Sequence, residues 1–162
     1  MVNNVDNVDP RELQSLQAYL NEYRQQAELF AQQLSMLEEG RMEALAATES
    51  LSAILSAGDN NAVLLQIGGG VSVRARVEEP DKILVNIGAD VIVERSNADA
   101  VEYLKDRITE MEASGKKVAE TLDRIRTQMN EIARRLETGY RQAQQAQQMN
   151  PSVSAGSLEE ED

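Results

Sequence analysis

The sequence has no cysteine, no histidine and no tryptophan, and a single phenylalanine, in 162 residues. Without cysteine there is no disulfide, no thiolate zinc site and no thiol nucleophile; without histidine the commonest metal ligand and the commonest general base are also missing. Most hydrolytic and metal-based mechanisms fall away, so neither an enzyme nor a bound cofactor is expected. Aromatic residues make up 3% of the chain, and a thick globular core therefore lacks its usual large side chains. The 41% apolar content is carried instead by Leu, Ile, Val and Ala. Positive charge is scarce as well: 16 Lys and Arg against 28 Asp and Glu leave a net charge of -12. Nucleic-acid affinity rests on clustered cations that neutralise phosphates, so no nucleic-acid partner is expected, and an anionic membrane surface is disfavoured for the same reason. No run approaches the ~20 apolar residues of a membrane span, and Met1–Asp9 lacks the basic-then-apolar pattern of a secretory leader. The expectation is a soluble, cytoplasmic chain with no membrane partner.

What is present is periodicity. From Pro10 to Ala57 apolar residues recur in alternating steps of three and four: Leu13, Leu16, Leu20, Tyr23, Ala27, Phe30, Leu34, Leu37, Arg41, Ala44, Thr48, Leu51 and Leu55. Only Arg41 and Thr48 interrupt the series, and the spacing averages about 3.5, the period of a left-handed coiled-coil seam. Asp9 is placed to accept from the first free backbone N–H groups, Pro10 suits the first helical position, Glu12 completes a capping-box-like pattern and Gly58 supplies a left-handed terminator. A second seam follows Ser96, with Asp99 as its capping partner. It reads Val101, Leu104, Ile108, Met111, Gly115, Val118, Leu122, Ile125, Met129, Ile132, Leu136, Gly139, Ala143 and Ala146, and Pro151 stops it. Two helices of roughly 70–75 Å, at about 1.5 Å per residue, need a partner along their whole length.

Between the seams the period changes from 3.5 to 2. Val63, Leu65 and Ile67 alternate up to Gly68-Gly69-Gly70, and Val71, Val73, Ala75 and Val77 return, which reads as a β-hairpin. Ile83, Val85 and Ile87 lead to Gly88-Ala89-Asp90, with Val91 and Val93 returning, as a second hairpin; Glu78-Glu79-Pro80-Asp81 connects the two. Leu64, Leu84 and Ile92 lie on the opposite strand faces, so both faces are partly apolar. Four short strands cannot bury two faces alone, which implies completion by other chains.

A short β segment between two helices of similar length folds them back as an antiparallel pair. If Ala57 faces residue 97, Gly40 falls level with Ser114 and Gly115, and the two helix-interior glycines mark either a close approach or bend of the backbones, or two tolerated surface positions. Arg41, a polar break in the seam, is in reach of Glu110 or Glu112 and can fix register or contact a partner. Far from the hairpins, Leu13, Leu16 and Leu20 meet the small Gly139, Ala143 and Ala146, leaving apolar groups incompletely covered, as a frayed end or as a binding surface. The Gly68-Gly69-Gly70 run is not a phosphate loop, since a strand and not a helix follows it. Carboxylates such as Glu110 and Glu112, or Glu120 and Asp123, sit on a solvated helix, and Ser114 beside Lys117 has nothing with which to build an oxyanion hole. The domain organisation is therefore a disordered N-terminus over 1–9, a first coiled-coil helix over 10–57, two β-hairpins over 58–95, a second coiled-coil helix over 96–149 and a disordered acidic tail over 150–162.

The order helix, two hairpins, helix, together with the run Asp81-Lys82-Ile83-Leu84-Val85-Asn86-Ile87-Gly88-Ala89-Asp90-Val91-Ile92-Val93-Glu94-Arg95, resembles the alpha class of the prefoldin family in its archaeal form, over about residues 10–149. The resemblance implies an α+β fold, a long antiparallel coiled-coil hairpin whose two β-hairpins at one end join an oligomeric β-barrel. It implies a hetero-hexamer of two alpha and four beta subunits that acts as an ATP-independent holding chaperone, captures non-native client proteins with its coiled-coil tips and passes them to a group II chaperonin. Several weak tips gripping one unfolded chain gain by effective concentration. By position in that pattern the client contacts fall to Val8, Leu13, Leu16, Tyr19, Leu20, Leu136, Tyr140 and Met149. Oligomerisation falls to Val63, Leu65, Ile67, Val71, Val73, Ile83, Val85, Ile87, Val91 and Val93. The alternative is a structural or adaptor coiled coil that oligomerises through its β region and docks one specific folded partner.

Overall fold

A computed structural model describes residues 9–58 and 62–149. The expected disorder of 1–9 and 150–162 lies, Asp9 apart, outside the described residues. The order of elements is α1 (Pro10–Ser56), β1 (Ala62–Gly68), β2 (Val71–Arg76), β3 (Ile83–Gly88), β4 (Val91–Arg95) and α2 (Asn97–Gln148). The chain forms two compact units: Met1–Gln32 with Ala119–Asp162, and Gln33–Val118. Both helices contribute to both units.

The helix starts follow from their caps. The Asp9 carboxylate accepts from the Arg11 backbone N–H at 2.9 Å, and its carbonyl accepts from Glu12 and Leu13. At α2 the Ser96 hydroxyl accepts from the Asp99 N–H at 3.1 Å, and the Ser96 carbonyl accepts from Ala100 at 3.0 Å. After α1, Gly58 takes a positive φ of 57°.

In the first unit, Leu13, Leu20 and Leu136 form a buried cluster with Leu16, Met129 and Ile132 packed against it. Fully burying a Leu is worth about 1.5–3 kcal/mol, so this cluster, with buried Leu122 and Ile125, holds the pair. Tyr140 donates its hydroxyl hydrogen to Gln17 Oε1 at 3.0 Å, consistent with an antiparallel pairing.

In the second unit α1 and α2 are also antiparallel, with a register that differs from the expected one. A Cβ on Gly40 would meet Met111 Sδ at 3.1 Å, and one on Gly115 would meet Leu34 Cδ1 at 3.7 Å. The glycines are therefore offset and do not share a level; each is a seat for a large side chain of the other helix. The cause is the joint at the start of α2. Asn97 is 2% exposed; its side-chain amide donates to the Leu51 carbonyl at 3.0 Å and to the Pro80 carbonyl at 3.2 Å, and its backbone N–H donates to Asp81 Oδ1 at 3.0 Å. This sets Leu51, and not Ala57, beside residue 97. The last turn of α1 then has no α2 backbone opposite it, and Leu55, expected in the seam, is exposed while Ile54 is half-buried. Ala146, at the opposite end of the second series, is exposed too.

The β residues form two separate two-stranded antiparallel sheets, β1–β2 and β3–β4. The first pairs Val63 with Ala75 and Leu65 with Val73; the second pairs Ile83 with Arg95 and Val85 with Val93. The guanidinium of Arg95 lies 5.5 Å from the centre of the Tyr103 ring, tying the end of β4 to α2.

Candidate functional site

The turn chemistry explains why each hairpin closes where it does. Both loops are the two residues Gly69-Gly70 and Ala89-Asp90, with φ of 60°, 78°, 49° and 60° respectively. Positive φ at both central residues is the type I′ turn, whose twist matches that of the flanking strands. Before each turn a bulge inserts one extra residue, between Gln66 and Gly68 and again between Asn86 and Gly88. In the second hairpin the Asn86 side-chain oxygen accepts from the Gly88 N–H at 2.9 Å. Ile67 and Ile87 stand at the bulges, where the regular alternation stops.

Cross-strand pairing defines two faces on each hairpin. Val63, Leu65, Val73 and Ala75 share one face of β1–β2, while Leu64, Gln66, Ser72, Arg74 and Arg76 share the other. In β3–β4, Ile83, Val85, Val93 and Arg95 share one face, and Leu84, Asn86, Ile92 and Glu94 the other. Of the residues expected in oligomerisation, Val63, Ile83, Val85 and Val93 are half-buried, and Leu65, Ile67, Val71, Val73, Ile87 and Val91 are exposed. Below the second hairpin an open cavity of about 490 Å³ is lined by Ala44, Ala47, Leu51, Ile83, Val85 and Leu104, among others, so this apolar face is only partly filled by its own helices. The opposite face is more exposed still: Leu64 and Leu84 are each 70% exposed and Ile92 61%. These three are missing from the expected assembly residues, although their place on the second strand faces was visible in the alternation.

The residues expected at client contacts divide sharply. Leu13, Leu20 and Leu136 are buried in the helix pair, 6–8% exposed, and Leu16 is half-buried against them. Tyr19, Tyr140 and Met149 are exposed, and Val8 lies outside the described residues. Two shallow cavities flank this part of the helix pair. One, of about 380 Å³, is lined by Pro10, Leu13, Gln14, Gln17 and Tyr140; the other, of about 530 Å³, includes Leu16, Arg134, Arg135 and Gly139.

The charges act locally. Arg41 bonds Glu38 at 2.6 Å on its own helix and reaches Glu112 of α2 at 3.5 Å. The hydrogen bond from Arg41 holds the Glu38 carboxyl below its ordinary pKa, and the same contact raises Arg41 above its own. Lys82, 2.6 Å from Glu79 in the connection between hairpins, is likewise held above its ordinary value by that hydrogen bond. Among the described residues no group of three or more acidic side chains is placed to hold a metal ion, and no helix is long and apolar enough to cross a membrane. The residue that sequence reasoning missed altogether is Asn97. A polar residue directly after a capping Ser reads as an ordinary helix start, and its burial arises only when α1 and the Pro80-Asp81 corner close over it.

The family model described as "Prefoldin subunit" matches residues 23–142. The "Prefoldin subunit alpha" of Methanoregula boonei is 62% identical over 136 residues, covering 84% of this chain and 88% of that one. Those of Methanoculleus marisnigri and Methanospirillum hungatei are 57% and 51% identical, covering 88% and 93% of this chain and 95% and 97% of their own lengths. Among solved structures, a chain of the filamentous PFD from Methanocaldococcus jannaschii is similar, with a TM-score of 0.63 at 18% identity over 74% of this chain and 98% of that one; it supports the same fold.

Proposed function

The chain belongs to the prefoldin family, and from that premise we propose that it is the alpha subunit of an ATP-independent holding chaperone. In this reading its hairpins join those of prefoldin beta subunits in a hetero-hexamer of two alpha and four beta chains. The helix pair presents apolar groups to non-native clients, which are then handed to a group II chaperonin in the cytoplasm. The observation that carries the reading is the distribution of exposed large apolar side chains. On the hairpins they occupy both faces of two-stranded sheets, which cannot bury them within one chain. On the helix pair, Tyr19, Tyr140 and Met149 remain uncovered, and Tyr140 lines a shallow groove with Pro10, Leu13, Gln14 and Gln17. Weak grips of this kind become effective when several act on one chain. The residues that carry client contact are then Tyr19, Tyr140 and Met149, with Leu13, Leu16, Leu20 and Leu136 holding the pair that displays them; Val8, expected among the client contacts, lies outside the described residues. Assembly rests on Val63, Leu65, Ile67, Val71 and Val73 of the first hairpin and Ile83, Val85, Ile87, Val91 and Val93 of the second.

The test is suppression of client aggregation by the chain with its beta partner in the absence of ATP, followed by light scattering. Reduced scattering with several unrelated unfolded clients is expected, and it weakens in a Tyr19→Ser, Tyr140→Ser double variant. Scattering indistinguishable from that of the client alone would refute the reading.

A further inference from the structure

The register held at Asn97 leaves both seams unmatched at one end. In the second unit Leu51 lies beside Asn97 and Leu34 beside Gly115. Counting outward from these contacts, Thr48 faces Val101 and Arg41 faces Ile108 across the pair. Leu55 then has no seam residue of α2 to face and is 49% exposed, and in the first unit Ala146, last in the α2 series, is exposed as well. A slide of one heptad removes both mismatches. Leu55 meets Val101, Thr48 meets Ile108 and Leu34 meets Leu122, while Arg41, the cation in the α1 seam, comes opposite Gly115, where no side chain crowds it. Every seam position of α1 from Leu13 to Leu55 then faces one of α2 between Val101 and Ala143. The slide gives up the seats of Met111 on Gly40 and Leu34 on Gly115, and one buried hydrogen bond, from the Asn97 amide to the Leu51 carbonyl. The other two bonds of Asn97, to the Pro80 carbonyl and from its own N–H to Asp81, stay on the hairpin side and do not oppose it.

We propose that the helix pair has two registers one heptad apart, latched in the observed one by the bond from Asn97 to Leu51, and that release of the latch slides α1 along α2 and bares Leu13 and Leu16. At about 1.5 Å per residue the slide is roughly 10 Å. A buried polar side chain that selects one coiled-coil register against another is the best attested use of such a residue. The latch hangs on the Pro80-Asp81 corner between the hairpins, whereas its effect falls in the first unit, because both helices run through both units. In the observed register Leu13 and Leu20 are buried with Leu136, and Leu16 and Ile132 pack against them. After the slide Leu13 faces Ala143 and Leu16 faces Gly139, residues too small to cover a leucine. The observed register is thus the covered state and the slid register the open one. The two registers stand without the chaperone reading; only the role of the bared leucines as client contacts rests on it.

The chain has no cysteine, so pairs of introduced thiols report the register. Leu34→Cys with Gly115→Cys is level in the observed register, Leu55→Cys with Val101→Cys is level in the slid one, and Leu55→Cys with Ile108→Cys is level in neither. Thiols a heptad out of level cannot bridge. Each pair is placed in the full chain and disulfide closure under mild oxidation is followed by gel mobility. The first pair is expected to close fastest, the second slowly but to completion, and the third more slowly than the second. Adding Asn97→Ala, which leaves the Leu51 carbonyl without its donor, is expected to speed the second pair about tenfold and leave the third unchanged. A second pair that closes no faster than the third in the otherwise wild-type chain overturns the two registers, and this comparison does not depend on the folding of the Asn97 variant. Acceleration of neither pair, or of both equally, overturns the latch. The oxidised second pair is expected to bind severalfold more of the apolar dye ANS than the oxidised first pair, and equal binding overturns the baring of Leu13 and Leu16. No client is present in these measurements, so failure of the slide and failure of the chaperone reading are separate results.

Discussion

In the helix pair, Leu13, Leu20, Leu122, Ile125 and Leu136 lie buried against residues of the same chain; in the hairpins, Leu64, Ile67, Leu84 and Ile92 stand more than half exposed. The residue types are alike, so composition does not separate the two regions. The difference lies in what each element can cover. A helix with a 3.5-residue seam finds its complement in a second helix of the same period, supplied by the same chain. A two-stranded sheet has two faces and free edges, and strands of 5 to 7 residues cannot curl over themselves. Stability therefore resides mainly in the helices, and the hairpins hold surface that becomes useful on association.

The largest expected effect tests the helical side. Leu136→Ala removes a buried side chain of the first unit and is expected to cost about 2–5 kcal/mol in chemical unfolding followed by circular dichroism. A parent-like midpoint would break the comparison at once. The next largest concerns the joint. Asn97→Ala leaves the Leu51 and Pro80 carbonyls without their shared donor and is expected to cost about 1–3 kcal/mol in the same experiment. Gly115→Ala sharpens the picture from the opposite direction. Its new Cβ makes only ordinary contact with Leu34, so the gain in helix propensity, about 0.5–1 kcal/mol, should appear as a higher midpoint. Gly40→Ala gains less, because Met111 must first shift by a few tenths of an ångström.

On the hairpin side, Leu64→Ala with Leu84→Ala should move the unfolding midpoint of the isolated chain by no more than about 0.5 kcal/mol, since exposed side chains contribute little. The same double variant is expected to lose association in size-exclusion chromatography, and a large loss of stability with intact assembly would invert the assignment. The smallest effect is electrostatic. Lys82 has a folded-state pKa above its ordinary 10.5, so its contribution is present below that value and disappears as pH rises through the raised one. The small stability difference between wild type and Lys82→Met should therefore vanish at strongly alkaline pH. Glu38, lowered from 4.5, behaves in the opposite sense: its contribution is present above that value and disappears as pH falls through the lowered one.

Most of the architecture was legible because it depends on local chemistry repeated many times. The caps at Asp9 and Ser96, the seams of both helices and the change to period 2 at the hairpins are each set by residues within a few positions of one another. The bridge from Arg41 to Glu112 was also legible, because a cation in an apolar seam must reach a carboxylate across the pair. The candidate surfaces were less so. Leu13 and Leu20 read as available because Gly139, Ala143 and Ala146 opposite them are small, yet Leu136, with Met129 and Ile132 a turn or two away on α2, closes the cluster. Tyr19 and Tyr140 have the same apolar character and stay exposed.

The sequence alone determined the elements, their order and their antiparallel logic, since periodicity and turn chemistry are short-range properties. The tertiary structure decided the register. Asn97, buried between the Leu51 carbonyl and the Pro80-Asp81 corner, fixes where α2 begins against α1. That choice offsets Gly40 from Gly115, seats Met111 and Leu34 on them and pushes Leu55 out of the seam. A seam of period 3.5 fits its partner equally well after a shift of one heptad, so the selection among alternatives falls to specific long-range contacts, the most buried and directional of them the hydrogen bond between residues 46 positions apart.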